Sequence, residues 1–387
     1  MSERVVGGEP ALPVVILSTA DIDAPIWTNK QHIATRLAAE REVHYIESLG
    51  LRSPSLRLAD VTRIVERMKA LFVRGPRGKR AHTRVPMEML KVHTPMVLPF
   101  HALSLVRILN RFSVRRRILS RLPQHYLLWS FSPLTYGLEE RAERVVYHSV
   151  DLLHTIVGIP AKALLDGERN LIARADAVVA SSKGVADHLR AQGANPYLWE
   201  NVADIELFRQ ARAAMRERRA IFVGNLTASK VEFDLLEAIV ARGVRLALAG
   251  PASIDGTRRE PALDRLLRSP LVEYLGVLSQ EKMAIELGRS WVGIIPYHVN
   301  DYTAGVFPMK VYEYLGAGLP VVATPLASLG GSSIPGLEVI DRKAFANRVA
   351  SICSGKHEPP DGDLSRNSWE ARLGQIRALL APGRGVH

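Results

Sequence analysis

The stretch Asp301-Tyr-Thr-Ala-Gly-Val-Phe-Pro-Met-Lys-Val-Tyr-Glu-Tyr-Leu-Gly-Ala-Gly-Leu-Pro-Val-Val-Ala-Thr324 predicts a loop leaving a strand, a short helix, a glycine stop and a new strand. Pro308 suits the first helical turn, where its missing N–H is not needed. Gly316, Gly318 and Pro320 end the helix before the apolar run Val321-Val-Ala. Lys310 then falls in the first turn, beside unpaired backbone N–H groups and the positive end of the helix, so this helix mouth can hold an anion. Glu313 follows three residues later on the same face, roughly 4.5 Å further along. A lysine for a diphosphate, with a carboxylate one turn on to accept two ribose hydroxyls, is the chemistry of a nucleotide-sugar pocket. Read in isolation, the same two residues are an i,i+3 ion pair on a solvated helix.

Working outward, apolar strand-like runs recur at Val14–Leu17, Val43–Ile46, Leu127–Trp129, Val145–Tyr147, Ala177–Ala180 and Tyr197–Trp199. A second series follows Phe208, at Ala220–Val223, Leu246–Ala249, Val272–Leu275, Val292–Ile295 and Val321–Thr324. Continuous apolar runs separated by helical stretches are the pattern of parallel strands covered on both faces. The fold class is therefore α/β, with two doubly wound, Rossmann-like domains expected to face each other across a cleft. The expected division is 1–205 for a first domain carrying the basic segment, 206–217 for a charged hinge, and 218–364 for a nucleotide-sugar domain. Residues 365–387 should form a C-terminal helix packing back across the domains. In that helix Trp369, Leu373, Ile376 and Leu380 share a stripe and Ser368 is placed to cap it.

Composition narrows the function classes. The 387 residues are 47% hydrophobic, ample for two cores, and the single cysteine, Cys353, excludes an intrachain disulfide and a cysteine-based zinc cluster. No run of 18 apolar residues occurs and the first ten residues lack a signal pattern, so the protein is expected on the cytoplasmic side of a membrane. The net charge of +12 is concentrated: residues 51–121 hold 17 Lys/Arg against 3 Asp/Glu, net +14, and the rest of the chain sums to −2. Charge so confined argues for an anionic partner.

After Leu17 the chain does not enter a G-x-G-x-x-G turn, which speaks against a dinucleotide cofactor on the first half. Polar side chains fill this loop instead. Asp21, Asp23, Thr28, Asn29 and His32 can bind the hydroxyls of an acceptor, or serve simply as turn and cap residues.

The order and spacing of several short motifs carry a family resemblance. They are Trp27-Thr-Asn-Lys-Gln-His32, Tyr147-His-Ser-Val-Asp151, Ala175-Asp-Ala-Val-Val-Ala-Ser-Ser182, Glu200-Asn-Val-Ala-Asp204, Phe222-Val-Gly-Asn225 with Lys230, Pro308-Met-Lys-Val-Tyr-Glu-Tyr-Leu315, and Ser368-Trp369. Over nearly its whole length the chain resembles GT-B fold glycosyltransferases of the glycosyl transferases group 1 kind, in the teichuronic-acid-type subgroup. The resemblance implies a nucleotide-sugar donor held by the C-terminal half, an acceptor held by the N-terminal half, no cofactor beyond the donor and no obligatory metal. It places Lys310 at the diphosphate, Glu313 at the ribose, and Gly224, Asn225 and Lys230 around the donor. Where many relatives carry a first glutamate eight residues before the second, this chain has Gly305, so its loop from Asp301 to Phe307 is expected to act through backbone N–H groups and Thr303.

Glycosyl transfer needs charge stabilised on the leaving diphosphate and, for inversion, a base for the acceptor hydroxyl. Asp151, at the end of a predicted strand, is the favoured base, and in position it resembles the base of the inverting glucuronosyltransferase of the xanthan pathway. His148 is the competitor, with burial as its duller reading, and helix capping is the duller reading of Asp151.

Residues 103–122 form a basic amphipathic stretch. Leu105, Ile108, Leu109 and Phe112 recur at helical spacing among Arg107, Arg111, Arg115, Arg116 and Arg117. Such a helix can lie on an anionic membrane, or pack on the core with a solvated arginine face. The expectation is a peripheral enzyme at the inner face of the plasma membrane, acting on a lipid-linked or membrane-proximal glycan in cell-envelope polysaccharide synthesis. A soluble small-molecule acceptor is the alternative. A basic nucleic-acid-binding protein is the reading from another class, but the segment lacks interleaved aromatics for base stacking and no nucleic acid is expected as partner.

Overall fold

The computed structural model describes residues 11–24, 27–52, 87–156, 158–252, 260–331 and 333–381. Residues 53–86, close to half of the basic tract, lie outside the described residues, as do 1–10. The chain divides into two units. One comprises residues 1–180, 185–198 and 385–387, and the other residues 181–184 and 199–384.

The first unit is a seven-stranded, all-parallel sheet. Its strands are β1 (Val14–Leu17), β2 (Val43–Ile46), β3 (Leu90–His93), β4 (Leu127–Ser130), β5 (Arg144–Ser149), β6 (Ala177–Ala180) and β7 (Tyr197–Leu198), in spatial order β3-β2-β1-β4-β5-β6-β7. Helices α1 (Asn29–Leu37), α2 (Ser104–Arg117), α3 (Ala161–Ile172) and α4 (Lys183–Ala191) connect them. Strands β1, β2, β4 and β6 are buried throughout, which is why they read as unbroken apolar runs. Strand order reverses between β1 and β4, the switch point beside which open α/β sheets bind ligands.

The second unit repeats the design with six parallel strands: β8 (Arg219–Val223), β9 (Arg245–Ala249), β10 (Val272–Gly276), β11 (Val292–Ile295), β12 (Val321–Ala323) and β13 (Leu337–Val339). Their order is β10-β9-β8-β11-β12-β13, so the switch point lies between β8 and β11. Its helices are α5 (Ile205–Gln210), α6 (Phe233–Val240), α7 (Pro261–Leu266), α8 (Gln280–Arg289), α9 (Asp301–Ala304), α10 (Lys310–Gly316), α11 (Arg342–Ser354) and α12 (Trp369–Leu380). The carboxyl ends of β8 and β9 meet tightly. A Cβ at Gly250 would stand 2.0 Å from the carbonyl oxygen of Gly224, and Gly250 takes φ +126°, so this position excludes a side chain.

Two strands escape the sequence reading, β3 and β13. Both are sheet edges with mixed or partial burial, so neither carries the continuous apolar run of an inner strand. The segment expected as a hinge, 206–217, is instead built into the second unit, and the division falls at Leu198/Trp199. Arg212 Nε donates to the carbonyl of Gly316 at 3.0 Å, Arg216 donates to that of Ala317 at 2.8 Å, and Phe208 is fully buried. Helix α12 belongs to the same unit, with Ser368 capping it by accepting from the Ala371 N–H as expected. Arg372 donates to the Glu200 carbonyl at 2.6 Å, and Ala203 pairs with Ser368.

Candidate active site

In the second unit the site grows from the carboxyl ends of β8 and β11. Helix α10 begins at Lys310, with Met309 as its helical cap and Pro308 just before it, so it is shorter than the proline placement predicts. It is fixed through its last turn. The Val223 N–H at the tip of β8 donates to the Tyr314 hydroxyl at 2.9 Å, and Arg212 and Arg216 hold its last carbonyls. Lys310 is carried across Gly224: a Cβ at that glycine would come within 2.9 Å of Lys310 Cε.

Glu313 sits one turn along, 9% exposed, and its Oε2 is buried with no hydrogen-bond partner among the described residues. Burial pushes its carboxyl above the ordinary range, and Lys310 opposes that rise. A buried acceptor left unpaired costs about 1–3 kcal/mol. A native fold leaves few such groups, and each calls for a cause such as an absent partner.

The loop after β8 completes this wall. Half-buried Asn225 follows Gly224, and Val231 bridges to Tyr297, just past the end of β11, while the His298 N–H donates to the Lys230 carbonyl at 2.9 Å. Lys230 Nζ lies 4.8 Å from the ring centre of Tyr297 and 5.8 Å from that of Tyr302, within cation–π range. The phenol of Tyr297 is pushed up by burial, and Lys310 works against the shift. Lys310, Glu313 and Lys230, with Gly224 beneath the Lys310 side chain, are therefore gathered around one aromatic residue, Tyr297. The sequence reading did not name it; its only signal is its place directly after an inner strand.

Two expected donor contacts are placed differently. The stretch from Asp301 is not an open loop but the single turn α9, with Asn300 and Thr303 in a reciprocal capping box. Thr303 is fully buried, and its hydroxyl donates to the His298 carbonyl at 2.5 Å, so capping occupies the group expected to reach the donor. Gly305 is buried with ordinary αR backbone angles, and its carbonyl accepts from Ser182 Oγ at 2.9 Å. The close approach near Gly305 is to the chain itself: a Cβ at Gly184 would stand 2.6 Å from the Ala304 carbonyl.

In the first unit Asp151 follows β5 and is partly exposed. Its neighbour is Lys30, in the first turn of α1, 7% exposed and 5.9 Å from the Phe131 ring centre. Burial lowers the Lys30 ammonium below its usual range, and the Asp151 carboxylate partly restores it. Lys30 lies within the quoted Trp27–His32 motif, and its signal is a lysine on a helix whose polar residues are nearly all inside. His148 is completely buried, its ring 4.9 Å from Phe131 and 6.0 Å from Trp129, which matches the duller of its two readings.

Behind β5, buried Glu168 on α3 accepts from the Tyr147 hydroxyl at 2.5 Å and from His188 Nε2 at 2.6 Å, fixing the strand that delivers Asp151.

The expected acceptor residues are partly absorbed by the fold. Thr28 and Gln31 form the capping box of α1, Asn29 is buried, and His32 is held near pKa 3 by burial and by Arg36, hence neutral. Asp21 and Asp23 lie with Glu47 in a carboxylate cluster within 4.8 Å. Glu47 accepts from Thr94 Oγ1 at 2.6 Å.

Among known proteins, residues 217–354 match the family model described as glycosyl transferases group 1. Over these residues the second unit is similar to that family. TuaH of Bacillus subtilis (strain 168), named as a glycosyltransferase of teichuronic acid biosynthesis, is 32% identical over 180 residues, 43% of this chain and 45% of TuaH. The chain thus spans less than half the length of this curated relative. Solved structures resemble nearly all of it. Sucrose-phosphate synthase from Thermosynechococcus elongatus has TM-score 0.65 at 15% identity, covering 95% of this chain and 99% of that one. HepE of Anabaena in complex with UDP and glucose has TM-score 0.61 at 14% identity, covering 96% and 100%. At such identity they show the fold, two Rossmann-like units of the GT-B kind.

Proposed function

We propose that the chain is a glycosyltransferase that moves a sugar from a nucleoside-diphosphate donor to a hydroxyl of a lipid-linked or membrane-proximal glycan, in cell-envelope polysaccharide synthesis. The observation that carries the reading is Glu313, a buried carboxylate with an unpartnered oxygen one helical turn from Lys310. Two vicinal ribose hydroxyls supply the donors it lacks, and Lys310 meets the diphosphate across Gly224. As the bond from the anomeric carbon to the acceptor oxygen forms and the bond to the phosphate oxygen breaks, negative charge grows on the diphosphate. Lys310 and Lys230 stabilise it in place of a metal ion. In an inverting transfer the acceptor proton passes to Asp151. The nucleotide-sugar is the only co-substrate in this reading.

The acceptor class is supported by the likeness to TuaH and by the confined basic charge, which favours work at the inner face of the plasma membrane. A soluble acceptor is the second reading, favoured by the likeness to sucrose-phosphate synthase. Titration calorimetry with UDP, GDP and dTDP tests the donor half. Binding of one of them, weakened by Lys310→Ala, is the expected result, and no binding of any of the three refutes it.

A further inference from the structure

Helix α2 is held by one face and bare on the other. Val106, Asn110 and Val114 are buried, four residues apart. Asn110 spans Leu98, accepting from its N–H at 2.7 Å and donating to its carbonyl at 2.9 Å, and Ser113 Oγ donates to the Met96 carbonyl at 2.6 Å. The face pointing away carries Leu105, Ile108, Leu109 and Phe112, which are 69%, 65%, 49% and 65% exposed. The core-packing alternative raised by the sequence therefore applies to the other stripe. At 100° per residue the apolar stripe runs on into Arg115 and Arg116, so one line along the helix is apolar for two turns and cationic in the last. Arg107 and Arg111 are not on that line. Arg107 donates to the carbonyls of His101 and Ala102, and Arg111 pairs with Glu140 at 2.5 Å.

We infer that α2 lies in the plane of an anionic bilayer, with Leu105, Ile108, Leu109 and Phe112 among the acyl chains and Arg115 and Arg116 at the lipid phosphates. The inference rests on the membrane-proximal acceptor proposed above and adds the mode of attachment, apolar insertion rather than electrostatic adhesion alone. Fourteen residues are too few to span a bilayer, and no helix of the described residues is long and apolar enough to do so. An exposed apolar stripe marks a surface made to be covered. A second copy would bring two segments of net +14 together, whereas an anionic bilayer offers acyl chains and negative charge at once.

Cys353 is buried, so the thiol of an Ile108→Cys variant of the full chain can be labelled selectively with an environment-sensitive fluorophore. On phosphatidylcholine–phosphatidylglycerol vesicles the label should shift to the blue and be quenched by lipids brominated in the acyl chain. Part of this signal should survive salt that screens charge beyond a few ångströms. Replacing Leu105, Ile108, Leu109 and Phe112 together by serine should lower vesicle partitioning at least about tenfold. Arg115 and Arg116 replaced by glutamine should remove the salt-sensitive part. Nucleotide binding measured on the serine variant should equal wild type, and a circular dichroism spectrum matching wild type reports that its first unit folds. A label that stays water-like on vesicles the protein binds overturns the inference, as does a serine variant that binds vesicles like wild type. Sedimentation velocity revealing a dimer that the serines dissolve, without vesicle binding, assigns the stripe to a second copy and overturns it too. A protein that inserts but binds no nucleotide fails the glycosyltransferase reading alone.

Discussion

Replacing Glu313 by glutamine keeps the volume of the side chain and removes its charge, and should act in opposite directions on the empty protein and on its complex. In the empty protein the carboxylate is buried with one oxygen unpaired, and its pKa is raised by burial. The charged form is therefore disfavoured in the folded state, and the penalty is fully present above the folded pKa. It fades as pH falls through that value and vanishes below the unfolded one. Glu313→Gln should accordingly melt higher than wild type at mildly alkaline pH, by about 2–4 °C for each kcal/mol relieved in a unit of this size. The gap should close on acidification. In the complex the carboxylate is the acceptor for two hydroxyls, and charge-assisted hydrogen bonds contribute about 1.5–3 kcal/mol each. Losing the worth of one weakens a nucleoside diphosphate about 10- to 150-fold, whereas pyrophosphate, which has no ribose, should bind within about twofold of wild type. Calorimetry with both ligands and thermal melts across pH make the measurement. Equal losses for the two ligands, or a variant less stable than wild type at alkaline pH, would refute the assignment.

Lys310→Ala should weaken nucleoside diphosphate and pyrophosphate alike, by about 1.5–3 kcal/mol, since a charge-assisted contact to phosphate is lost; calorimetry that finds the diphosphate unaffected removes Lys310 from the site. Asp151→Asn should lower turnover at least about a hundredfold with donor affinity near wild type. Should activity survive that change and disappear in His148→Ala, the base is His148. Lys30→Met should raise the melting temperature most at low pH, because burial depresses the lysine in the folded state. That penalty is present below the folded pKa and is lost as pH rises past the unfolded value of about 10.4. A melting difference independent of pH would show that Lys30 is not held charged against its burial.

Inner strands were legible because burial on both faces forces unbroken apolar runs. The edge strands β3 and β13 were not, since a half-covered edge imposes no such pattern. The Lys310 and Glu313 pair could be read from helix spacing and a glycine stop, both local signals. Thr303 was misplaced because the competing local chemistry, an Asn300–Thr303 capping box, claims the hydroxyl first. Tyr297 and Lys30 join their sites through neighbours distant in sequence, and the amphipathic face of α2 could be recognised without knowing which of its stripes the core would take. A charged, helix-prone run such as 206–217 looks like a linker until its arginines find the carbonyls they serve.

Those arginines set a limit on how the protein can be dissected. The match to the family model begins at residue 217, a natural place to cut a gene in two. A fragment starting there would discard Arg212 and Arg216, leaving the last carbonyls of α10 without these partners, and would lose Phe208 and the pairing of Ala203 with Ser368. Its helix would carry Lys310 and Glu313 on a loosened base, and weak nucleotide binding by such a piece would reflect the cut. A fragment beginning at residue 199 retains every one of these supports, and is the one to express alone.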